Sequence, residues 1–276
     1  MEIEIQNLSC GYRGKAIVED ISFRIGERQT WCVLGANGIG KTTFFKTVLN
    51  LLKPVSGQIL LDGVPLERWN RKELAKQIAY VPQSHVPPFP FLVEEVVAMG
   101  RNPYQRGLAP ASARDRAAVD EAMEALGIGY LRGKRYTQIS GGERQLTLLA
   151  RAIAQETPVL VLDEPVANLD FGNQARVIGR VCDLVSRWNR TIIMTTHNPD
   201  HAFLPDANVL LLFRGGGHRV GRGRDIVTRE SIRELYQIDN RVVDLPDCQK
   251  TVCVPLYSPG QEPPAAACDV EKQPSC

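Results

Sequence analysis

Apolar positions along the first 84 residues fall in short runs broken by Gly-marked turns. The runs EIEIQNL, AIVEDISFRI, QTWCVLG, QILLDG and QIAYVPQ predict strands. Lys41 to Leu52 departs from this pattern, because Phe44, Phe45, Val48, Leu49 and Leu52 recur at helical spacing. From residue 85 the texture changes. Prolines open PPFPFLVEEVVAMGRNPY, and SARDRAAVDEAMEALGIG then sets Ala, Val, Met and Leu at helical intervals. With the helical run LTLLARAIAQ, this predicts a helical subdomain over about residues 85–155, joined by flexible corners. Strand and helix alternate again in PVLVLDEP, FGNQARVIGRVCDLVSRW, RTIIMTTH, NVLLLF and RESIRELYQ. Strands as apolar as VLVL and TIIM suit a parallel sheet buried on both faces. SPGQEPPAAACDVEKQPSC is Pro- and Ala-rich without periodicity, so residues 258–276 are expected to be a disordered tail behind a domain of residues 1–257.

Composition narrows the classes of function. The 276 residues are 43% hydrophobic and 23% charged, ordinary values for a chain with a sizeable core. A net charge of +2 gives no global reason to expect nucleic acid as a partner, and the stretch Arg214–Arg229, with GGGHRVGRGR, reads as a solvated hairpin followed by a loop. The longest stretch free of Asp, Glu, Lys and Arg, Gln77 to Val93, contains Pro82, Pro87, Pro88 and Pro90, so it cannot cross a bilayer as a regular helix. MEIEIQNLSCGY lacks the grammar of a signal peptide. The seven scattered cysteines read as reduced thiols of a cytosolic protein. Cys248 with Cys253, and Cys268 with Cys276, lack the tight spacing of zinc ligands and have no neighbouring histidine.

The sharpest chemistry follows the strand QTWCVLG. Residues 35–42, GANGIGKT, fit G-x-x-x-x-G-K-[ST]. Along Gly35, Ala36, Asn37, Gly38, Ile39, Gly40, Lys41, Thr42 and Thr43, the glycines let the backbone curl so that successive N–H groups face phosphate oxygens. The next helix adds its positive N-terminus. Lys41 is expected on the β- and γ-phosphates of a nucleotide, and Thr42 on Mg²⁺. A second half-site is expected at VLVLDE, residues 159–164, because a buried strand tolerates charge only at its tip. There Asp163 is placed to hold Mg²⁺ and Glu164 to polarise the attacking water. Alone, Asp-Glu would read as a solvated turn; the phosphate loop gives it weight.

ISGGERQ, residues 139–145, forms another anion-binding turn at a helix start, with a hydroxyl, bare N–H groups and the helix dipole. One nucleotide has one γ-phosphate, already enclosed on one side by Gly35–Thr42. The second turn therefore makes sense if it closes on a nucleotide held by another copy.

Tyr12, GANGIGKTT, Gln83, ISGGE, VLVLDEP, NLD at 168–170 and His197 follow in that order. Over about residues 3–240 the chain resembles the ATP-binding subunits of ABC transporters. That resemblance implies an α/β fold: a P-loop NTPase core with a mostly parallel sheet, an N-terminal antiparallel β subdomain and an inserted helical subdomain. It also implies that Tyr12 stacks on adenine, that Gln83 senses Mg²⁺ and the attacking water, and that His197 contacts the γ-phosphate. Ser140, Gly141, Gly142 and Glu143 would reach across a head-to-tail dimer with Asp170 near its centre. Read singly, Tyr12 suits a core aromatic, Gln83 a loop amide and His197 a strand-end histidine. Ile139 stands where the family usually has Leu, and Val166-Ala167 where many members have Thr-Ser.

A narrower likeness joins FLVEEVVAMGRNPY and the helix after it to importers of ferric siderophores, haem and cobalamin. QLTLLARAIA, LDFGNQ and VCVPLY look more like the molybdate or tungstate branch. The implied function is ATP-driven import through two membrane permease subunits, with a substrate-binding protein acting indirectly, at the cytoplasmic face of the inner membrane. An exporter ATPase is the alternative, as is a soluble ATPase of translation or repair. Translation types usually carry two cassettes, however, and the segment from Gln83 to Ser140 is too short for the coiled coil of repair types. A P-loop GTPase would need an Asn-Lys-x-Asp motif, which the sequence lacks.

Overall fold

The computed structural model describes residues 1–83, 89–105, 110–167 and 169–256; the expected disordered tail and Asn168 lie outside the described residues. β1 (Ile3–Tyr12) and β2 (Lys15–Ile25) pair antiparallel, and β4 (Ser56–Leu61) and β5 (Val64–Pro65) extend them into a sheet ordered β2-β1-β4-β5. The second sheet contains β3 (Thr30–Leu34), β6 (Ile78–Val81), β7 (Val159–Leu162), β8 (Thr191–Thr196), β9 (Asn208–Leu212) and β10 (His218–Arg222). Its order is β10-β9-β3-β8-β7-β6, parallel throughout except for the β9–β10 hairpin.

Alternation along these buried strands feeds two cores. Trp31, Val33, Ile78, Val159, Val161, Ile193, Leu210 and Leu212 face the antiparallel sheet and α1 (Lys41–Val48). Cys32, Leu34, Ala79, Val81, Leu160, Leu162, Ile192, Met194 and Val209 face the other way, toward the helices. Because apolar residues stand on both faces, the runs read as strands without revealing which residue takes which face. α1 ends earlier than expected, at Val48, and Leu49–Leu52 form a turn instead. Asn50 takes φ +55°, and the N–H groups of Asn50 and Leu51 bond the carbonyls of Thr47 and Lys46 at 3.0 and 2.8 Å, closing the helix as a Schellman motif.

α2 (Arg71–Leu74) precedes β6, and the helical segment comprises α3 (Val93–Ala98), α4 (Ala113–Ala125) and α5 (Gly141–Ala154). Ser112 caps α4 in a capping box with Asp115. Arg101 is buried, and its guanidinium joins Asp115 at 2.9 Å, the carbonyl of Ala154 at 2.7 Å and Glu156 at 2.6 Å. One side chain thus ties the start of α4 to the end of α5. α6 (Phe171–Ser186) runs from β7 toward β8. After β10, α7 (Gly223–Ile226) takes the place of the expected loop, and α8 (Arg229–Tyr236) is the helix that RESIRELYQ predicts. β11 (Asn240–Leu245) and β12 (Lys250–Pro255) then form a separate hairpin that the sequence reading did not anticipate. Among the described residues no helix is long and apolar enough to cross a membrane.

Candidate nucleotide site

The loop between β3 and α1 is built by steric necessity. Gly40 takes φ +110°, and a Cβ there would lie 2.7 Å from Val18 Cγ2 and 2.9 Å from Ile17 Cγ2. A side chain would therefore meet both the left-handed backbone penalty and β2. Gly40 occupies the N-cap of α1 without a side-chain cap, so the first N–H groups of the helix are left for a ligand. The loop lines a cleft of about 400 Å³ together with Ile17, Gln83 and Glu164.

Charge is concentrated at the bottom of this cleft. Lys41 is buried, and its ammonium donates to the carbonyls of Gly35 at 2.9 Å and Ala36 at 3.2 Å. It also pairs with Glu164 at 3.4 Å. A phosphate entering the loop would compete for these contacts. The other oxygen of Glu164 accepts from Gln83 Nε2 at 3.1 Å and lies 3.5 Å from His197 Nδ1. Glu164, Gln83 and His197 therefore converge, although they come from three separate strand ends. Thr42 Oγ1 donates to Asp163 Oδ2 at 3.2 Å. This pairing of a hydroxyl with a buried carboxylate offers only hard oxygen donors. It fits Mg²⁺, which takes one or two protein oxygens and completes its shell with phosphate and water.

Two contacts around Asp163 escaped the sequence reading. Thr195 Oγ1 donates to Asp163 Oδ1 at 2.7 Å, and Tyr80 OH reaches Oδ2 at 3.4 Å. Burial first, then the adjacent Asp163, pushes the Tyr80 hydroxyl up to about 12, so it remains a donor at neutral pH. The available signal was parity: Tyr80, Asp163 and Thr195 continue the strand faces of Ile78, Val161 and Ile193 toward α1.

The remaining expected residues lie elsewhere. Tyr12 is half-exposed at the end of β1 and does not line the cleft. Ser140 is exposed and caps α5, accepting from the N–H of Glu143 at 3.3 Å, while the Glu143 carboxylate accepts from the N–H of Ser140 at 2.8 Å. That backbone hydrogen bond, followed by the Ser140 side chain, holds Glu143 below the usual carboxylate range. Gly141 is exposed and Gly142 buried; a Cβ on Gly142 would lie 2.7 Å from Asn173. Asn173 in turn donates its backbone N–H at 2.9 Å and its amide at 2.7 Å to Asp170, the exposed cap of α6. The Ser140–Glu143 turn and Asp170 therefore abut each other. Neither lines the phosphate cleft of the same chain.

A glycine-rich loop on β3, a lysine over it and an acidic tip on β7, one strand beyond β8 in the same parallel sheet, define a P-loop nucleoside triphosphatase. A family profile described as ABC transporter matches residues 18–167. An uncharacterised ABC transporter ATP-binding protein of Haemophilus influenzae is 42% identical over 237 residues, covering 86% of this chain and 90% of that protein. The iron(3+)-hydroxamate import ATP-binding protein FhuC of Bacillus subtilis is 31% identical over 252 residues, covering 91% and 94%. Among solved structures, a chain described as a metal-chelate type ABC transporter in an inward-facing conformation superposes with a TM-score of 0.82 at 30% identity, covering 92% of this chain and 97% of that one. The chain belongs to the ABC transporter family, as an ATP-binding protein that hydrolyses ATP to power transport.

Proposed function

We propose that this chain energises import of a metal chelate through a partner membrane permease, working as a head-to-tail homodimer at the inner face of the membrane. The substrate class rests on near full-length similarity to FhuC of Bacillus subtilis and to the metal-chelate type transporter. An indirect partner is a substrate-binding protein that delivers the chelate. The helical segment shares one apolar core with the parallel sheet, so force applied to it reaches the site.

In this reading, residues 35–43 cradle the triphosphate, and Lys41 exchanges its carbonyl and Glu164 contacts for β- and γ-phosphate oxygens. Tyr12 stacks on the adenine. Thr42 and Asp163, with Gln83, would hold Mg²⁺, which supplies charge neutralisation of the transferred phosphoryl group. Glu164 accepts the proton of the attacking water, while Gln83 and His197 orient that carboxylate and the γ-phosphate. Ser140, Gly141, Gly142 and Glu143 complete the site of the opposite copy, with Asp170 at the dimer centre. The observation that carries the hydrolytic reading is the convergence of Lys41, Gln83 and His197 on Glu164.

The test is coexpression with a permease and reconstitution in vesicles, followed by uptake of a radiolabelled ferric hydroxamate. ATP-dependent accumulation is expected. A complex that hydrolyses ATP but accumulates no ferric, haem or cobalamin chelate would overturn the substrate class.

A further inference from the structure

Thr195 is fully buried at the tip of β8, between β3 and β7, and its hydroxyl makes two hydrogen bonds of opposite sense. It donates to Asp163 Oδ1 at 2.7 Å and accepts the backbone N–H of Glu164 at 2.8 Å. Glu164 takes φ +45°, an uncommon conformation for a residue with a side chain, and the chain turns there out of the β7 direction into the cleft. The Glu164 N–H lies just past the end of β7, and an N–H withdrawn from water needs a partner. Thr195 supplies it. The same hydroxyl fixes one oxygen of Asp163, leaving the other toward Thr42.

We infer that Thr195 is a positioning residue that sets both carboxylates of the site at once: Asp163 for the metal and Glu164 for the water. This rests on the roles proposed above for Asp163 and Glu164. Only a side chain that is both donor and acceptor can make the two contacts, so a carbon isostere loses both together. Serine keeps them with a freer rotamer. Residues that orient a metal ligand from behind typically change affinity or activity by about 10–100-fold when removed. Valine should also leave Asp163 Oδ1 and the Glu164 N–H without this partner, loosening the turn that aims the base.

The experiment compares Thr195→Val with Thr195→Ser in the full chain, by steady-state hydrolysis and by a Mg²⁺ titration of fluorescent ATP binding. The binding series is run in the Glu164→Gln background, so that no turnover contributes. Thr195→Val should lower kcat by about tenfold or more with KM for ATP within about twofold, since the phosphate loop is untouched. It should raise the Mg²⁺ concentration needed for half-maximal enhancement of binding, while binding without Mg²⁺ stays as in the parent. Thr195→Ser should recover most of both. A kcat for Thr195→Val within twofold of wild type would overturn the inference, as would equal losses in valine and serine, which would make the position one of packing. Should valine prevent folding, Thr195→Ala measured against Thr195→Ser makes the same comparison. If Glu164→Gln by itself hydrolyses ATP normally, the assignment of the base fails instead, and the Mg²⁺ titration still judges Thr195.

Discussion

Replacing Glu164 by glutamine tests the chemistry most directly, because the shape is kept and one charge and one proton acceptor are lost. Gln83 can still bond the remaining oxygen at the position now 3.1 Å from its amide. The barrier should rise by the worth of a general base, about 10²–10⁴ in rate or roughly 3–5 kcal/mol. Lys41 would also lose its partner at 3.4 Å. At an effective dielectric near 20, that contact has a gross attraction on the order of 4–5 kcal/mol, most of it offset by solvation and by the lysine's carbonyl contacts. Freed from it, and with a negative charge removed from beside the triphosphate, Lys41 should bind ATP more tightly. Both effects are read from one preparation: phosphate release gives kcat, equilibrium binding gives Kd, and size-exclusion chromatography with ATP should reveal a long-lived dimer. Turnover within tenfold of wild type would remove Glu164 from its role. Slow turnover with weakened ATP binding would instead mean that the carboxylate serves to hold the loop.

Two further expectations concern assembly and pH. If the Ser140–Gly142 turn completes the partner's site, a mixed dimer of Lys41→Ala and Ser140→Arg chains places both lesions on one composite site. One well-occupied ATP per mixed dimer is then expected, with hydrolysis restored if a single site can turn over; two equally crippled sites would mean that each chain builds its site alone. His201 is buried, with Nδ1 2.8 Å from the Thr196 hydroxyl, and burial, with a smaller push from His197, lowers it from 6.5 to about 4. The folded chain therefore resists a proton that the unfolded chain accepts near pH 6.5, so this stability is complete above that pH and falls as pH drops toward 4. Between pH 7.5 and 4.5 His201 should account for about 2–3 kcal/mol, seen in denaturant unfolding as a steeper acid loss in wild type than in His201→Asn. Equal slopes in the two would contradict the burial argument.

The phosphate loop, the acidic strand tip and the Ser140–Glu143 turn were legible in the sequence because each is a local motif. A short run of neighbours fixes the backbone of Gly35–Thr42, and the Ser140–Glu143 capping box is complete within four residues. The alternation of strands and helices was legible for the same reason, and so was the helical texture after residue 85. The end of α1 was not, since Asn50 stops it by adopting a left-handed backbone that its helical apolar spacing does not announce. The β11–β12 hairpin carries no strong alternation and takes its place by docking, as Asp200 accepts the N–H of Cys253 at 2.7 Å. Gln83 and His197 were expected at the site from the family resemblance alone, whereas only the fold could bring Thr195 and Tyr80 to Asp163. Their partners lie tens of residues away on neighbouring parallel strands, and those strands carry apolar residues on both faces. Local sequence can therefore specify that a residue is inside a strand. Which face it takes, and whose side chain it meets there, depends on the order and register of strands that the chain joins only through long crossovers.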